Sequence, residues 1–324
     1  MPGTQFPYPR KSSTPTAYTP QRSIPLHQRR NIKNVATYIV GGFTLLFFVI
    51  WLLGGGSPKG PRIPLGTPEV VIVTPLDPNL SQSMVDKIQE NRKDYAARHG
   101  YATFFPNTTD YDLMPSVPLT WSKLPSMRHA LTLWPEAAWL WHLSSEALIM
   151  SPGEPLRNKL LDPQTLESLM IVDKPVVPPD SVIKTFSHIR GERVDFILTQ
   201  DQEGLSVGSF LVRNGEWAKF FLDAWFDPLY RSYNFQKAEE HALEHIVQWH
   251  GTILAKLALV PQRIFNSYIP EPDMRNTYTD GQYQQGDFIA NFRGCQKDPT
   301  RSCDEEMAPL MSRWRELRDS QWKR

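Results

Sequence analysis

Cysteine is scarce in this sequence: Cys295 and Cys303 are the only two among 324 residues. Two cysteines on their own do not favour a structural metal site, which takes four nitrogen or sulfur ligands. They lie eight positions apart, so we expect a local disulfide if this segment lies in an oxidising compartment. The topology of the chain therefore decides how the pair is interpreted.

Acidic residues are absent from the first 34 positions, which hold six Lys or Arg, and residues 35–54 carry no charge. Twenty residues of α-helix span about 30 Å, the thickness of a bilayer core. Because positive flanks stay in the cytoplasm, we predict a disordered basic cytoplasmic tail at 1–34 and a transmembrane signal-anchor helix at 35–54. A cleaved signal peptide is the alternative, but the apolar run is long for one and GGGSPKG is a poor cleavage context.

A strong net charge is also absent. Removing the six tail residues from the 35 basic residues leaves 29, against 34 acidic residues. This composition does not point to nucleic-acid binding. A Gly/Pro stem at 55–68 leads to a predicted luminal domain at 69–324, where a Cys295–Cys303 disulfide is the natural interpretation. In that topology Asn79 and Asn107 begin N-x-S/T glycosylation sequons.

The predicted luminal domain has strands that alternate with helices. The run VVIVTP after Glu69 predicts a strand buried on both faces, and a helix that begins near Ser81 and ends at Gly100 leads to a second strand. This spacing predicts an α/β sheet, whose ligands bind at the carboxyl ends of the strands. The apolar spacing of residues 243–257 predicts a later helix that ends at Pro261. Further strands are predicted at AAWLWHL, FILT, SFLVR and FIANF.

Five ordered segments resemble the motifs of glycosyltransferase family 34. WLWHLSSEALIM at 139–150 is similar to the family's W-x-W-x-L-D-x-D-A-x-I-M, and NRKDYAARHGY at 91–101 is similar to N-R-x-x-Y-A-x-x-H-G-Y. GLSVGSFLVRNGEWAKFFLDAW at 204–225 resembles G-x-N-x-G-S-F-x-x-R-N-x-x-W-x-x-x-F-L-D-x-W. EEHALEHIVQWH at 239–250 and GDFIANFRGC at 286–295 resemble two later motifs. The resemblance therefore extends over nearly the whole predicted luminal domain.

The resemblance implies a GT-A fold, a Rossmann-like sheet that binds a nucleotide sugar, in a type II Golgi membrane protein. Within the family, the chain looks most like the α-1,6-mannosyltransferase subunits of fungal mannan polymerase complexes, which lengthen N-glycan outer chains. The implied partners are GDP-mannose, an N-glycan mannan acceptor, the membrane and other mannosyltransferase subunits in a hetero-oligomer. The implied cofactor is Mn²⁺, held by the D-x-D carboxylates against the donor diphosphate.

The chain departs from the family at the implied metal ligands. Ser144 replaces the first Asp of D-x-D and Glu146 replaces the second. Asn291 stands where many members supply a further ligand, a His, and Ser206 replaces an Asn before V-G-S-F. Glu146 and Asn291 are thus weak candidate ligands, because a single side-chain carboxylate rarely retains a divalent ion.

The resemblance also assigns roles to residues outside the metal site. It places Asp201 and Glu239 as catalytic carboxylates near acceptor and donor. Helix packing remains an alternative for Arg92 and Tyr95, and a solvated lysine for Lys123. Turn initiation remains an alternative for Asp201, and an ordinary first-turn acid for Glu239. Six residues are predicted to contact the nucleotide sugar: Thr74, Arg92, Tyr95, Lys123, Ser144 and Ser209.

Two hypotheses about function follow. In one, the chain is an active retaining transferase in which Glu146 holds the metal with water and phosphate oxygens, or Arg293 partly replaces the metal. In the other, the domain keeps the fold and acts as a structural or acceptor-binding subunit beside active partners. The altered ligands favour the second hypothesis, and the retained motifs around Asn91, Arg92 and Lys123 favour the first.

Overall fold

The chain divides into two compact units, residues 1–62 and 63–324. The described residues of the first unit are helical.

No helix in the described part of the chain has the length and apolar character needed to cross a bilayer. The predicted tail, residues 36, 47 and 50–54 of the predicted span, and most of the predicted stem lie outside the described residues. The computed structural model describes residues 35, 37–46, 48–49, 66–114, 116–178, 181–233, 235–270 and 280–321.

The second unit contains strands that form two sheets. In chain order they are β1 (Val70–Val73), β2 (Ala102–Phe104), β3 (Trp139–Leu143), β4 (Ala147–Ile149), β5 (Phe196–Asp201), β6 (Gly204–Arg213), β7 (Leu257–Val260), β8 (Ser267–Tyr268) and β9 (Ile289–Asn291). The six-stranded sheet has the order β2-β1-β3-β6-β5-β7, and the three-stranded sheet has the order β4-β9-β8.

Helices connect and cover these strands. They are α1 (Gln82–His99), α2 (Lys123–Leu133), α3 (Pro163–Leu169), α4 (Glu216–Trp225), α5 (Pro228–Ser232), α6 (Glu239–Trp249), α7 (Gly251–Leu254) and α8 (Cys303–Gln321). Short 3-10 turns at Thr108–Tyr111, Leu119–Ser122, Gly191–Arg193 and Gln262–Ile264, and a π turn at Arg157–Leu161, complete the described elements.

The large sheet is mixed rather than parallel throughout. Strand β1 runs parallel to β2 and β3, and β5 runs parallel to β7. Strand β6 is antiparallel to both β3 and β5, and joins the two parallel parts. The predicted α/β sheet is therefore confirmed, with an antiparallel strand at its centre.

The first βαβ unit forms as its sequence predicts. All four residues of β1 are fully buried, as expected for a continuous apolar run covered on both faces. The hydroxyl of Ser81 accepts a hydrogen bond from the Met84 amide at 3.2 Å and caps α1. Gly100 ends the helix with φ of 68°, a left-handed conformation that favours glycine. The chain then enters β2 directly.

The prediction of one helix continuing through Leu257 to Pro261 is wrong. Helix α6 ends at Trp249, a second short helix ends at Leu254, and Leu257–Val260 is strand β7. Residues 257–260 are LALV, an apolar run that fits a helix or a buried strand equally well by periodicity. Pairing with β5 decides between them, because it buries all four residues on the sheet edge.

Alternate residues of the central strands pack into cores on opposite faces of the large sheet. In β1, Val71 and Val73 face one core, and Val70 and Ile72 face the other. A third, smaller core lies around Trp314 of α8 and the small sheet. Strand β6 pairs with β3 and β5, and Arg293, two residues after β9, donates to Asp201 at the end of β5, which brings these chain segments together.

Candidate functional site

The turn between β3 and β4, residues 144–146, occupies the position of the family's D-x-D. Arg92 supports this turn: its Nη2 donates to the carbonyl oxygens of Ser144 at 2.8 Å and Ala147 at 2.6 Å. The Arg92 side chain is fully buried, and burial lowers its pKa to about 9. Arg92 therefore supports the turn through backbone contacts from a fully buried position.

Three other residues predicted to contact the nucleotide sugar are also buried inside the fold. The Thr74 hydroxyl donates to the Leu143 carbonyl at 2.9 Å. The Tyr95 hydroxyl donates to a backbone carbonyl at 2.9 Å, and the Ser209 hydroxyl accepts from the Trp141 indole at 2.9 Å. These contacts position the turn and the sheet. Among the residues predicted to contact the nucleotide sugar, Lys123 and Ser144 remain partly exposed.

The Glu146 carboxylate is bound by backbone amides. Its Oε2 accepts from the Gly294 amide at 3.1 Å, and its Oε1 accepts from the Gln296 amide at 2.9 Å. The loop that supplies these amides is closed by the Cys295–Cys303 disulfide, with Cα atoms 5.2 Å apart. The sulfurs of this disulfide lie near Glu146 but are oxidised, so they offer no thiolate to a metal. Glu146 therefore caps a loop.

The buried Asn291 side chain is also hydrogen-bonded within the protein. Its Nδ2 donates to Asn266 Oδ1 at 2.8 Å, and Asn266 in turn donates to the hydroxyls of Thr199 at 3.1 Å and Ser206 at 2.8 Å. Asn291 packs closely on Gly208, where an added Cβ would lie 2.5 Å from Asn291 Nδ2. The buried Asn291 Oδ1 accepts no hydrogen bond from the described residues.

The side chains of Ser144, Glu146 and Asn291 do not fit the Mn²⁺ that the family resemblance implies. The Ser144 hydroxyl accepts from the Glu146 amide at 3.1 Å, and the Glu146 carboxylate is already bound on both oxygens. Each Glu146 oxygen accepts one hydrogen bond and keeps one lone-pair site, and the Asn291 carbonyl oxygen, which accepts none from the described residues, is buried. A divalent ion of this kind needs several converging oxygen ligands, which this turn does not offer.

Asp201 has the turn role considered for it, and its second carboxylate oxygen is bonded to neighbouring side chains. Its Oδ1 accepts from the amides of Glu203 at 2.8 Å and Gly204 at 3.1 Å, which closes the β5–β6 hairpin. Its Oδ2 accepts from the Tyr268 hydroxyl at 2.9 Å and from Arg293 Nη1 at 2.9 Å. With four hydrogen bonds, the Asp201 carboxylate has little capacity left for an acceptor hydroxyl.

Glu239 forms a buried ion pair at the start of α6. Its Oε1 accepts from Lys123 Nζ at 2.7 Å, its Oε2 accepts from the Thr120 hydroxyl at 2.6 Å, and the side chain is 4% exposed. Burial alone would raise the pKa of the carboxyl, but the charge and hydrogen bond of Lys123 hold it below its usual value. The arrangement makes Glu239 an anchor that joins α6 to Lys123 at the start of α2.

His142 of β3 lies beside this pair. Burial, together with the charges of Lys123 and Arg92, lowers the pKa of His142 well below its usual range. Its Nδ1 makes no hydrogen bond with the described residues. The imidazole is therefore neutral and packs against Phe210 with ring centroids 4.9 Å apart.

Glu240 is the site carboxylate least engaged by hydrogen bonds. Its side chain is 22% exposed, and its nearest ion pair is Arg293 Nη2 at 3.9 Å. Burial and the neighbouring Glu239 raise the pKa of Glu240. No hydrogen bond to its carboxylate is present among the described residues. Among Asp201, Glu239 and Glu240, this is the one free to accept a hydroxyl.

Sequence reasoning did not assign site roles to Glu240, Asn266 and Tyr268. The Glu239-Glu240 pair offered a signal, since adjacent acids on a helix point in different directions, one inward and one to the surface. Asn266 and Tyr268 belong to no recognisable motif, and only the tertiary contacts with β5 and β6 identify them.

The two sequons differ in their surroundings. Asn79 is exposed, and its Nδ2 donates to Asp77 Oδ1 at 2.9 Å. Asn107 is half-buried, and its Oδ1 caps a 3-10 turn by accepting from the Thr109 amide at 3.0 Å. Glycosylation at either position stays a prediction, and Asn79 has the more open side chain.

Comparisons with known proteins agree with the fold and with the motifs. A model of the galactosyl transferase GMA12/MNN10 family matches residues 66–303. An uncharacterised α-1,2-galactosyltransferase of Schizosaccharomyces pombe is 36% identical over 216 residues, which are 67% of this chain and 64% of that protein. The probable α-1,6-mannosyltransferase MNN10 of Saccharomyces cerevisiae is 31% identical over 217 residues, 64% of this chain and 54% of that protein.

A solved structure is similar in fold. A crystallised glycosyltransferase involved in glycosylation of the major capsid of PBCV-1 superimposes with a TM-score of 0.51, covering 75% of this chain and 100% of that chain. Its sequence identity is 11%, so the likeness concerns the fold alone. The chain spans less than two thirds of the length of the two relatives described above.

Proposed function

This chain belongs to the galactosyl transferase GMA12/MNN10 family, and on that premise we propose that it is a subunit of an α-1,6-mannosyltransferase complex of the mannan polymerase type. In this proposal the complex lengthens N-glycan outer chains from GDP-mannose, and this subunit contributes little transfer activity of its own. The basic tail and apolar run support a single-pass type II protein of the Golgi membrane with residues 69–324 in the lumen.

One observation supports the proposal of low activity: the side chains of the turn at the D-x-D position are hydrogen-bonded within the protein. Glu146 holds the amides of Gly294 and Gln296, and Asn291 holds Asn266. Metal-dependent glycosyl transfer needs a cation at the leaving diphosphate, and Glu146 is the one carboxylate that residues 144–146 offer to hold it. A subunit that binds acceptor or partners, beside subunits that carry a complete metal site, is consistent with this arrangement.

The proposal is tested by separating the full chain from its partners. The tagged chain is purified in mild detergent with whatever co-purifies, and α-1,6-mannosyl transfer from GDP-mannose is measured before and after partners are stripped by salt. We expect activity in the assembled sample and loss of nearly all of it from the stripped chain, although thermal unfolding shows that chain to be folded. Full Mn²⁺-dependent activity in the stripped chain would contradict the proposal.

A weakly active retaining transferase is the second candidate, and Glu240 favours it. A half-buried carboxylate without hydrogen bonds from the described residues is a suitable contact for an acceptor hydroxyl. Because the relative with 36% identity carries the name of a galactosyltransferase, UDP-galactose and GDP-mannose are both tested as donors. Transfer by the stripped chain that Glu240→Gln abolishes, with its thermal midpoint unchanged, would support this candidate.

A further inference from the structure

Three carboxylates converge on one guanidinium beside the D-x-D position. Arg293 Nη1 donates to Asp201 Oδ2 at 2.9 Å, and Arg293 Nη2 donates to Glu203 Oε2 at 3.1 Å. Glu240 Oε2 lies 3.9 Å from the same Nη2. The guanidinium also lies over the Tyr268 ring, 5.3 Å from its centroid. Such a set of converging carboxylates around a positive charge has the composition of a site for a hard cation.

The position of Arg293 in the chain connects it to the residues that replace the family's ligands. It follows Asn291 by two residues and directly precedes Gly294, whose amide binds the Glu146 carboxylate at 3.1 Å. A continuous hydrogen-bonded chain leads from Asn291 through Asn266 to the Ser206 hydroxyl, which contacts Tyr268. Tyr268 donates to the same Asp201 oxygen that Arg293 binds.

We propose that Arg293 is a tethered cation that takes the place of the divalent ion in this chain. Its charge is supplied covalently, so one of the three carboxylate charges around it is balanced without a metal. The side chain is 36% exposed, and Glu203 is shared with Lys237, whose Nζ lies 3.2 Å from Glu203 Oε2. The guanidinium matches the Asp201 and Glu203 carboxylates in hydrogen-bonding geometry, and its charge and volume oppose a metal ion at the same oxygens.

This inference uses the proposed function only for the position of the donor site, and the two fail separately. If the wild-type chain binds Mn²⁺, the proposal that Arg293 replaces the metal is wrong, but the proposal that the chain belongs to a transferase complex is unaffected. A chain that keeps full activity without partners would overturn the proposed function. The Mn²⁺ titration described next would still measure whether Arg293 excludes the metal.

The test is a Mn²⁺ titration of the full chain in detergent, followed by the electron paramagnetic resonance signal of free Mn²⁺. We expect no stoichiometric binding to the wild type. Arg293→Ala leaves Asp201, Glu203 and Glu240 unpaired with Arg293, and we expect it to bind about one Mn²⁺ per chain. Arg293→Lys keeps the charge and is expected to bind none. Arg293→Ala combined with Glu203→Gln and Glu240→Gln is expected to lose the gained site.

Two results would overturn the proposal: stoichiometric Mn²⁺ binding by the wild type, or no binding by folded Arg293→Ala. Folding is checked by a cooperative thermal transition in each variant. If Arg293→Ala does not fold, Arg293→Gln removes the charge while keeping a donor for Asp201, and the same outcomes apply to it. The wild-type titration needs no variant and can overturn the proposal by itself.

Discussion

Replacing Lys123 tests whether Glu239 is an anchor of the fold. Lys123→Met removes the cation that lies 2.7 Å from Glu239 Oε1 and leaves the Thr120 hydroxyl as the other side chain that hydrogen-bonds that carboxylate among the described residues. The side chains of Lys123 and Glu239 are 13% and 4% exposed, so solvent screens the pair weakly. Removing one partner of a buried pair costs about 3–5 kcal/mol of unfolding free energy. For a domain of this size that is roughly 6–20 °C in thermal midpoint.

The pH dependence gives a second readout of the same variant. The pKa of Glu239 in the folded wild type lies below its usual value of 4.5, so the pair stabilises the fold above that pH. This contribution is lost as pH falls through the lowered pKa. In Lys123→Met, burial acts without the lysine and raises the pKa of Glu239. We therefore expect the stability difference between variant and wild type to be largest near neutral pH and to shrink in acid.

Thermal unfolding followed by circular dichroism measures both effects, with Lys219→Met as the matched control. Lys219 pairs with Glu216 on the surface at 2.6 Å, with 40% and 89% exposure, and such pairs contribute about 0–1 kcal/mol. Lys123→Met combined with Glu239→Leu replaces the pair by apolar groups and is expected to recover part of the loss. Equal midpoints for Lys123→Met and Lys219→Met would refute the anchor role.

Three further predictions concern the turn and its neighbours. Gly208→Ala is expected to lose about 1–3 kcal/mol in chemical denaturation, because its Cβ would lie 2.5 Å from Asn291 Nδ2. Reduction of the Cys295–Cys303 disulfide is expected to lower stability by about 2–3 kcal/mol, since it closes a short loop; unfolding with and without reductant measures this. Glu146→Ala removes the acceptor for two backbone amides and is expected to lose about 1.5–3 kcal/mol without changing Mn²⁺ binding.

Each of these has a control or a contradicting result. Gly251→Ala is the control for Gly208→Ala, because an added Cβ would meet no atom of the described residues within 4 Å outside its own helix and chain neighbours, and the residue begins a helix. Two reactive thiols in the unreduced, denatured chain would contradict the disulfide. Stoichiometric Mn²⁺ binding by the wild type that Glu146→Ala removes would show that Glu146 ligates metal and that its amide contacts are not its main role.

The local sequence pattern predicts those elements whose apolar periodicity and end signals lie within a few residues of one another. Strand β1, the Ser81 cap and the Gly100 stop follow from an apolar run and two end signals. The break after Trp249 and strand β7 do not follow, since LALV acquires its strand conformation from pairing with β5, some 60 residues earlier in the chain. The small sheet has strands of two or three residues, too short to leave a periodic pattern.

The motifs locate the site, but they do not reveal how its residues are used. In the sequence, Asn91 and Arg92 favour retained catalysis. In the structure Asn91 exchanges two hydrogen bonds with Ile149, at 2.9 Å each, and Arg92 holds the neighbouring turn. Both residues therefore have structural reasons to be present in an inactive domain. The pairing of Arg293 with Asp201, which lies 92 positions earlier, depends on the fold and has no signal in the sequence.

The most direct test of an internally bonded donor site is calorimetry of GDP-mannose binding to the full chain, with and without Mn²⁺. Restoring the family's ligands by Ser144→Asp, Glu146→Asp and Asn291→His provides the comparison variant. We predict that Mn²⁺ does not change GDP-mannose binding by the wild type, because Glu146 and Asn291 are bonded internally and Arg293 supplies the local charge. Mn²⁺-dependent binding by the folded wild type would contradict this prediction.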